Sequence, residues 1–253
     1  MNQETIIHIE GLRKSFGELQ VLRGVNLNIV RGESLVIIGR SGCGKSVLLK
    51  HINGLISADA GTVEVFGETW GDIKGKRMAE VRKKIGMLFQ SAALLDSLTV
   101  ADNVGLGLKE SFGIPDKEIG TIVNEKLEMV GMSGTNDLYP SSLSGGMRKR
   151  VGLARAIATN PDIVLYDEPT TGLDPITADM INDLILDLHD KLDITSISVT
   201  HDMTAAYKTA QRMVMLYDGV IEYEGTPDQI KNSGNAIVDQ FINGRADGPI
   251  RVG

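Results

Sequence analysis

A glycine-rich octapeptide constrains the fold of this 253-residue chain more than any other feature. It matches the pattern G-x-x-x-x-G-K-[ST] and reads Gly39, Arg40, Ser41, Gly42, Cys43, Gly44, Lys45 and Ser46. The apolar run Leu35 to Ile38 precedes it, and the helix-forming stretch Val47 to Asn53 follows it. A strand, a glycine-rich loop and a helix in this order predict an α/β fold whose loop cradles phosphate groups.

The residue types of this loop suit the phosphates of a nucleotide such as ATP. Glycines let the backbone turn so that successive N–H groups face the anion, and the helix N-terminus adds a favourable dipole. We expect Lys45 to contact the terminal phosphates and the Ser46 hydroxyl to bind Mg²⁺. The alternative is a strand-to-helix turn that binds nothing. Cys43 occupies an unconstrained position, and no chemistry is assigned to its thiol.

The hydrophobic pattern predicts two kinds of β-sheet. Three nearly continuous apolar runs, Leu35 to Ile38, Ile163 to Tyr166 and Ile197 to Val199, indicate central parallel strands that are buried on both faces. Earlier runs alternate between apolar and polar residues and indicate an antiparallel, half-exposed sheet. The further predicted strands are Ile6 to Ile9, Val25 to Ile29, Thr62 to Phe66, Met213 to Leu216 and Val220 to Tyr223.

Between about Leu94 and Thr159 the pattern is helical, which predicts an inserted helical lobe. The pattern is also helical over Thr226 to Phe241. We therefore expect one ATPase domain over residues 1–243, with a core formed by about 5–93 and 160–225 and a helical subdomain at about 94–159. Residues 244–253 form a C-terminal tail, which is either disordered or a strap that contacts a partner.

Charge and hydropathy exclude several functional classes. The formal net charge is −7, so the chain lacks the global basic field that attracts nucleic acid. The sequence contains no run of about 20 apolar residues and no secretory leader at its N-terminus. Its single cysteine fits a reducing compartment. We expect a cytoplasmic protein that serves a membrane process only by docking on a partner.

Two acidic residues follow the apolar strand Ile163 to Tyr166, at the strand end where ligands of open α/β sheets bind. Asp167 is suited to hold Mg²⁺, and Glu168 is suited to orient and deprotonate the attacking water. His201 follows another buried strand and is a candidate contact to the γ-phosphate. Gln90 is a candidate oxygen ligand for Mg²⁺ or for water. His8, His51 and His189 have no such neighbours in the sequence and are interpreted as structural.

A second anion site is predicted at Ser144, Gly145, Gly146 and Met147, which precede a basic helix. Ser144 is a good N-cap, and the glycines leave backbone N–H groups accessible. One nucleotide does not need two such sites in one chain. A head-to-tail dimer, in which this segment closes on the partner's ATP, would use both.

Taken in order, these motifs resemble those of the nucleotide-binding domain of the ATP-binding-cassette family. The resemblance covers about residues 5–230 and implies an ATPase that uses ATP and Mg²⁺. It implies catalytic roles for Lys45, Gln90, Glu168 and His201, metal ligation by Ser46, Gln90 and Asp167, and a signature at 144–147 that acts in trans. It also implies a dimer contact at Leu173 and Asp174. The remaining nucleotide contacts that it implies are Phe16, Val21, residues 39–46 and Val47.

Two residues depart from the family pattern. The aromatic residue that stacks on adenine is usually Tyr, and here Phe16 keeps the stacking face without the hydroxyl. The fifth signature residue is usually Gln, and here it is Met147. Because Ser144 and the glycine N–H groups remain, we expect nucleotide binding in the dimer to survive this change.

The segment from Leu143 to Ala156, residues 90–100 and the tail resemble the ATPase subunits of Mla-type lipid transporters. This resemblance implies a homodimer at the cytoplasmic face of a bacterial inner membrane, with an MlaE-like permease dimer, an MlaB-like STAS-domain protein and an MlaD-like MCE protein. The implied function is to power phospholipid transport that maintains outer-membrane lipid asymmetry. Alternatives are transport of an amino acid or lipoprotein, a soluble ABC ATPase acting on DNA or the ribosome, and a nucleotide sensor without turnover.

Overall fold

The computed structural model describes residues 4–110 and 113–251. The chain divides into two compact units. The first unit comprises the residues up to 74 and those from 197 onward, and the second comprises residues 75–196. The boundary falls within strand β8 (Thr195–Thr200), all of whose residues are buried.

The first unit contains the predicted antiparallel sheet, whose strand order is β2-β1-β4-β5. Strand β1 pairs with β2 and with β4, with Ile7 opposite both Ile29 and Val65. Ile7, Ile9 and Leu12 of β1 are buried and the residues between them are partly or fully exposed, which follows the predicted alternation. Ile6 is buried as well. The strands are β1 (Thr5–Phe16), β2 (Leu19–Val30), β4 (Ala60–Val65) and β5 (Glu68–Thr69).

The same unit holds buried parallel strands beside an antiparallel one. Strand β3 (Ser34–Ile38) is buried over its whole length and runs parallel to β9 (Arg212–Tyr217). Strand β10 (Val220–Gly225) pairs with β9 in the antiparallel direction. Helix α1 (Lys45–Ile52) follows β3, and helix α7 (Met203–Thr209) follows β8. The carboxyl end of β3 therefore leads directly into the glycine-rich loop.

The predicted helical stretch from Thr226 to Phe241 is interrupted at residues 232–235. The structure has two short helices there, α8 (Pro227–Lys231) and α9 (Ala236–Ile242). Thr226 begins α8 with a reciprocal capping box to Gln229, and the Asn235 side chain caps α9. Gly234 lies between the helices with φ +66°, a left-handed conformation that ends helical continuity.

The second unit is mainly helical around two parallel strands, β6 (Ile85–Leu88) and β7 (Ile163–Asp167). Its apolar core contains buried residues from α3, α4, α5 and α6. Among the described residues, the stretch predicted as helical contains helices and one 3-10 turn at Pro140–Ser142. The helices of this unit are α2 (Gly75–Arg82), α3 (Val100–Glu110), α4 (Asp116–Met129), α5 (Gly145–Ile157) and α6 (Pro175–Leu192). The predicted α/β class is confirmed.

Candidate functional site

The phosphate-binding loop emerges from buried strand β3 in a conformation that requires glycine. Gly39 has φ +153°, and a Cβ placed on it would lie 2.4 Å from the Leu216 carbonyl oxygen. Gly44 has φ +106° and occupies the N-cap of α1 without a side-chain cap. The N–H groups in the first turn of an α-helix point out of its N-terminal end, which in α1 adjoins the loop. This arrangement is suited to anion binding.

Lys45, the first residue of α1, is buried. Its Nζ donates to the carbonyl oxygens of Gly39 at 2.8 Å and Arg40 at 3.0 Å. The ammonium group is thus held inside the curve of the loop, where an anion bound to the backbone N–H groups would meet a positive charge.

Arg40 links the loop to the C-terminal segment. Its Nη1 donates to the Arg251 carbonyl oxygen at 2.9 Å. A groove of about 280 Å³ lies beside this contact and is lined by Arg40, Ser41, Gly42, Cys43, Tyr217 and Asp218. Burial raises the pKa of the Cys43 thiol, which disfavours its thiolate form.

The C-terminal segment packs on the first unit. Ile250 is 5% exposed and joins the cluster that contains Val36 and Ile38 of β3. Gln240 on α9 holds the segment: its Oε1 accepts from the Ile250 N–H at 2.6 Å, and its Nε2 donates to the Ile250 carbonyl at 3.1 Å. Residues 244–251 therefore form a strap on their own chain.

Two more predicted residues lie in the first unit. Phe16 is half exposed at the end of β1, so part of its ring is available for stacking. The Lys14 Nζ lies over the same ring, 5.6 Å from its centroid. Val21 is partly buried on β2. His201 is exposed directly after β8, and the neighbouring Asp202 caps α7.

The acidic pair ends strand β7 in the second unit, and both residues are buried. Glu168 has φ +49°, a left-handed conformation that costs a non-glycine residue about 1 kcal/mol or more. Its Oε2 accepts from the Thr171 hydroxyl at 3.2 Å. The orientation of the Glu168 carboxylate is thus set by a strained backbone conformation.

Two basic side chains of helix α5 donate hydrogen bonds to backbone carbonyl groups near the acidic pair and Gln90. Lys149 Nζ donates to the carbonyl oxygens of Gln90 at 2.5 Å and Glu168 at 3.2 Å. Arg155 donates to the carbonyl oxygens of Ala92 and Ala93, both of which have positive φ. Burial lowers the pKa of Lys149, and the carboxylates of Asp167 and Glu168 oppose this shift.

Helix α5 begins as the sequence predicts. The Ser144 side chain accepts from the Met147 N–H at 3.3 Å and so caps the helix. A Cβ on Gly145 would lie 3.2 Å from the Leu173 side chain, and one on Gly146 would lie 2.6 Å from that of Thr177. The predicted signature and the predicted dimer contact are therefore neighbours within the second unit.

The predicted site residues divide between the two units. Phe16, Val21, the loop 39–46, Val47 and His201 belong to the first unit, while Gln90, 144–147, 167–168 and 173–174 belong to the second. Within the second unit, the carbonyl oxygens of Gln90 and Glu168 accept hydrogen bonds from the same lysine, Lys149. Gly145 lies beside Leu173. No group of three or more His, Cys, Asp or Glu side chains suited to a metal ion occurs within 4–110 and 113–251.

Sequence reasoning assigned no role to Lys149 or Arg155. A signal was present, because Lys149 shares one helical face with Gly145, Gly152 and Ala156, all small residues. Small residues at this spacing indicate close packing of the helix, and a lysine on such a face must find polar partners inside the protein.

None of the helices in the described parts of the chain is both long and apolar enough to cross a membrane.

Comparison with known proteins places these features in a family. The family model described as ABC transporter matches residues 22–171. The intermembrane phospholipid transport system ATP-binding protein MlaF of Haemophilus influenzae is 39% identical over 251 residues, which are 99% of this chain and 95% of that protein. The methionine import ATP-binding protein MetN of Brucella abortus is 41% identical over 220 residues, 87% of this chain and 59% of that protein.

A solved structure gives the same result. A dimeric ATP-binding cassette in a post-hydrolysis state, bound to ADP and Pi, matches with a TM-score of 0.80 and 33% identity, covering 88% of this chain and 99% of that one. The glycine-rich loop, the acidic strand end and the capped glycine helix define an ATP-hydrolysing P-loop protein. More specifically, this chain belongs to the ABC transporter family as an ATP-binding subunit.

Proposed function

We propose that this chain is the ATPase subunit of a multi-subunit ABC transporter that powers phospholipid transport across the inner membrane and periplasm and so maintains outer-membrane lipid asymmetry. The observation that carries the proposal is the match to MlaF of Haemophilus influenzae, which spans 99% of this chain and 95% of that protein. The match therefore includes the C-terminal strap as well as the ATPase motifs. Met147 in the signature, where the family usually has Gln, also supports it.

The nucleotide would bind to the first unit. The loop 39–46 and the N-terminus of α1 would hold the phosphates, with Lys45 as the point charge. Phe16 would stack on adenine, and Val21 and Val47 would contact the nucleotide at its edges. The fit rests on the glycine positions, because a Cβ at Gly39 would collide with a backbone carbonyl.

The residues proposed for Mg²⁺ are Ser46, Gln90 and Asp167. Their hydroxyl, amide and carboxylate oxygens are the donor types that Mg²⁺ accepts alongside water and phosphate oxygens. When bound, the ion would neutralise charge on the phosphates during transfer. Glu168 would orient the attacking water and accept its proton, and His201 would contact the γ-phosphate.

The active unit is proposed to be a homodimer. Ser144 to Met147 present the N-terminus of α5, an anion site that lies in the other unit from the phosphate-binding loop. ATP held by one subunit would be closed by this segment of its partner, with Leu173 and Asp174 at the dimer contact. Hydrolysis would release the two subunits, and their opening and closing would drive the permease.

The partners proposed for the complex are an MlaE-like permease dimer, an MlaB-like STAS-domain protein and an MlaD-like MCE protein. The chain would then be peripheral at the cytoplasmic face of the inner membrane. We propose that motion reaches the permease through residues 90–100, because this segment begins at Gln90 and exposes the apolar side chain of Leu95.

Two experiments test the proposal. Purification of the tagged chain from membranes, followed by mass spectrometry of proteins and lipids, should recover an MCE protein, a permease and phospholipid. The variant Glu168→Gln should bind ATP and dimerise but lose most turnover, while the exposed-site control Glu118→Gln should match the wild type. Wild-type turnover in Glu168→Gln would refute its role as base.

One observation favours a second candidate cargo, an amino acid. The match to MetN of Brucella abortus has slightly higher identity, 41%, although it covers only 87% of this chain. Recovery of a periplasmic amino-acid-binding protein instead of an MCE protein would favour amino-acid import. The ATPase assignment would be unaffected by that outcome.

A further inference from the structure

Lys149 is a buried lysine whose ammonium group joins two separate backbone segments. It lies in the second turn of α5 and is 4% exposed. Its Nζ donates to the carbonyl oxygen of Gln90, just beyond β6, and to that of Glu168, just beyond β7. One side chain thus connects the two loops that carry proposed ligands of water and metal.

The two carbonyl groups lie just beyond the ends of strands β6 and β7. Strands β6 and β7 are parallel, and their last paired residues are Leu88 and Tyr166. Gln90 and Glu168 each lie two residues past that pair. A backbone carbonyl buried beyond the end of a ladder costs free energy unless a donor reaches it. The Lys149 ammonium supplies a charged donor to both.

The contact with Glu168 is made at a strained residue. Glu168 adopts φ +49°, and this backbone angle determines where its carboxylate points. Besides Lys149, the Glu168 carbonyl accepts from the Thr171 N–H at 3.3 Å. Loss of the ammonium would remove the charge-assisted bond and leave the weaker neutral one.

The rest of α5 reinforces the same loops. Gly152 faces Leu88 and Ala92 so closely that a Cβ on it would lie 2.7 Å from the Leu88 side chain. Arg155 bonds the carbonyl oxygens of Ala92 and Ala93. Because α5 begins at the signature Ser144 to Met147, one helix connects the signature with the loop after β6 and the end of β7.

We propose that Lys149 is a positioning residue for ATP hydrolysis, which sets the backbone of Glu168 and Gln90 in the geometry that the reaction requires. The proposal rests on the proposed roles of Glu168 and Gln90. Lys149 acts through the backbone of these two residues. Its loss should therefore affect the chemical step more than ATP binding, since the phosphate-binding loop belongs to the other unit.

The test compares four variants of the full chain in steady-state ATPase assays and in ATP-binding titrations. Lys149→Met keeps the length and apolar stem of the side chain without a donor, and it should lower kcat by about 10- to 100-fold, as expected for a small displacement of a catalytic group. The KM for ATP and the affinity for a non-hydrolysable ATP analogue should change by less than about threefold. Lys149→Arg restores charged donors and should recover at least part of kcat.

Lys126→Met is the matched control. Lys126 is also buried, at 2% exposure, but its Nζ donates to Asn160 at 2.7 Å and pairs with Glu125. Its loss should lower the thermal unfolding temperature and leave kcat unchanged. A similar unfolding shift in Lys149→Met with a much larger fall in kcat would support positioning over general stabilisation.

Two outcomes would overturn the proposal: wild-type kcat in Lys149→Met, or a parallel loss of ATP binding, kcat and thermal stability that Lys149→Arg does not rescue. Glu168→Gln, assayed alongside, distinguishes a failure of the proposed role of Lys149 from a failure of the proposed role of Glu168. If Glu168→Gln is inactive while Lys149→Met is normal, only the role of Lys149 fails. If Glu168→Gln is active, the proposed role of Glu168 fails.

Discussion

The strap formed by residues 244–251 should stabilise the first unit through two side chains that act together. Ile250 is the apolar anchor, with 5% exposure in a cluster that includes β3 and β9 residues. Gln240 is the polar anchor, and its amide bonds both the N–H and the carbonyl of Ile250. We therefore consider the substitutions Ile250→Ala and Gln240→Ala, alone and combined.

The expected loss of stability follows from the burial of Ile250 and from the strap that both side chains hold in place. Ile→Ala in a well-packed core costs about 2–5 kcal/mol. Gln240→Ala leaves the Ile250 N–H without its 2.6 Å acceptor, which costs about 1–3 kcal/mol if the strap stays in place. If a substitution detaches the strap, the loss of stability cannot exceed the free energy with which the strap docks on the rest of the unit. We expect about 2 kcal/mol for each single variant, or a fall of about 4–8 °C in Tm.

The double variant should then lose little more than the larger single loss, with a coupling energy of about 1 kcal/mol or more. Thermal unfolding measures the losses, and amide hydrogen exchange at Ile250 reports whether the strap has detached. Arg245→Ala is the control in the same strap, because its ion pair with Asp239 is exposed and should contribute less than about 1 kcal/mol.

Strictly additive losses in the double variant would refute a common docking event. Losses below about 0.5 kcal/mol in both single variants would refute the anchoring role itself. Because Arg40 bonds the Arg251 carbonyl, detachment should also weaken ATP binding modestly.

Three further predictions concern stability. Thr226→Ala removes the capping box with Gln229 and should cost about 1 kcal/mol in urea unfolding, whereas Thr226→Ser should cost much less. Gly86→Ala should cost about 1–3 kcal/mol or prevent folding, since its Cβ would lie 2.1 Å from the Ala156 carbonyl oxygen; an unchanged Tm would contradict that contact. Burial lowers the pKa of His51 below its usual 6.5, so on acidification the unfolded chain takes up a proton at a higher pH than the folded chain does. The free energy of unfolding therefore falls as the pH drops below about 6.5. The decrease in Tm between about pH 7.5 and about pH 5.5 should be smaller in His51→Gln than in the wild type.

Much of the local structure could be predicted from the sequence because it depends on neighbouring residues. The loop 39–46 was recognisable from its glycines and from the apolar run before it, and Ser144 was recognisable as an N-cap. The buried runs at β3 and β7 were predicted within one residue at each end, and the run at β8 within two. The helical stretch Thr226 to Phe241 was predicted without its interruption, because a periodic pattern does not show that Gly234 adopts a left-handed conformation.

The sequence by itself determined the chemistry available to this protein: a phosphate-binding loop, two carboxylates at a strand end and a capped glycine helix, each encoded over fewer than ten residues. Only the tertiary structure decided which partners these groups have. Lys149 is 59 residues from Gln90 and 19 from Glu168, and Arg40 is 211 residues from Arg251. Such contacts depend on how whole elements pack, because a buried donor must satisfy whichever carbonyl groups the fold leaves beside it.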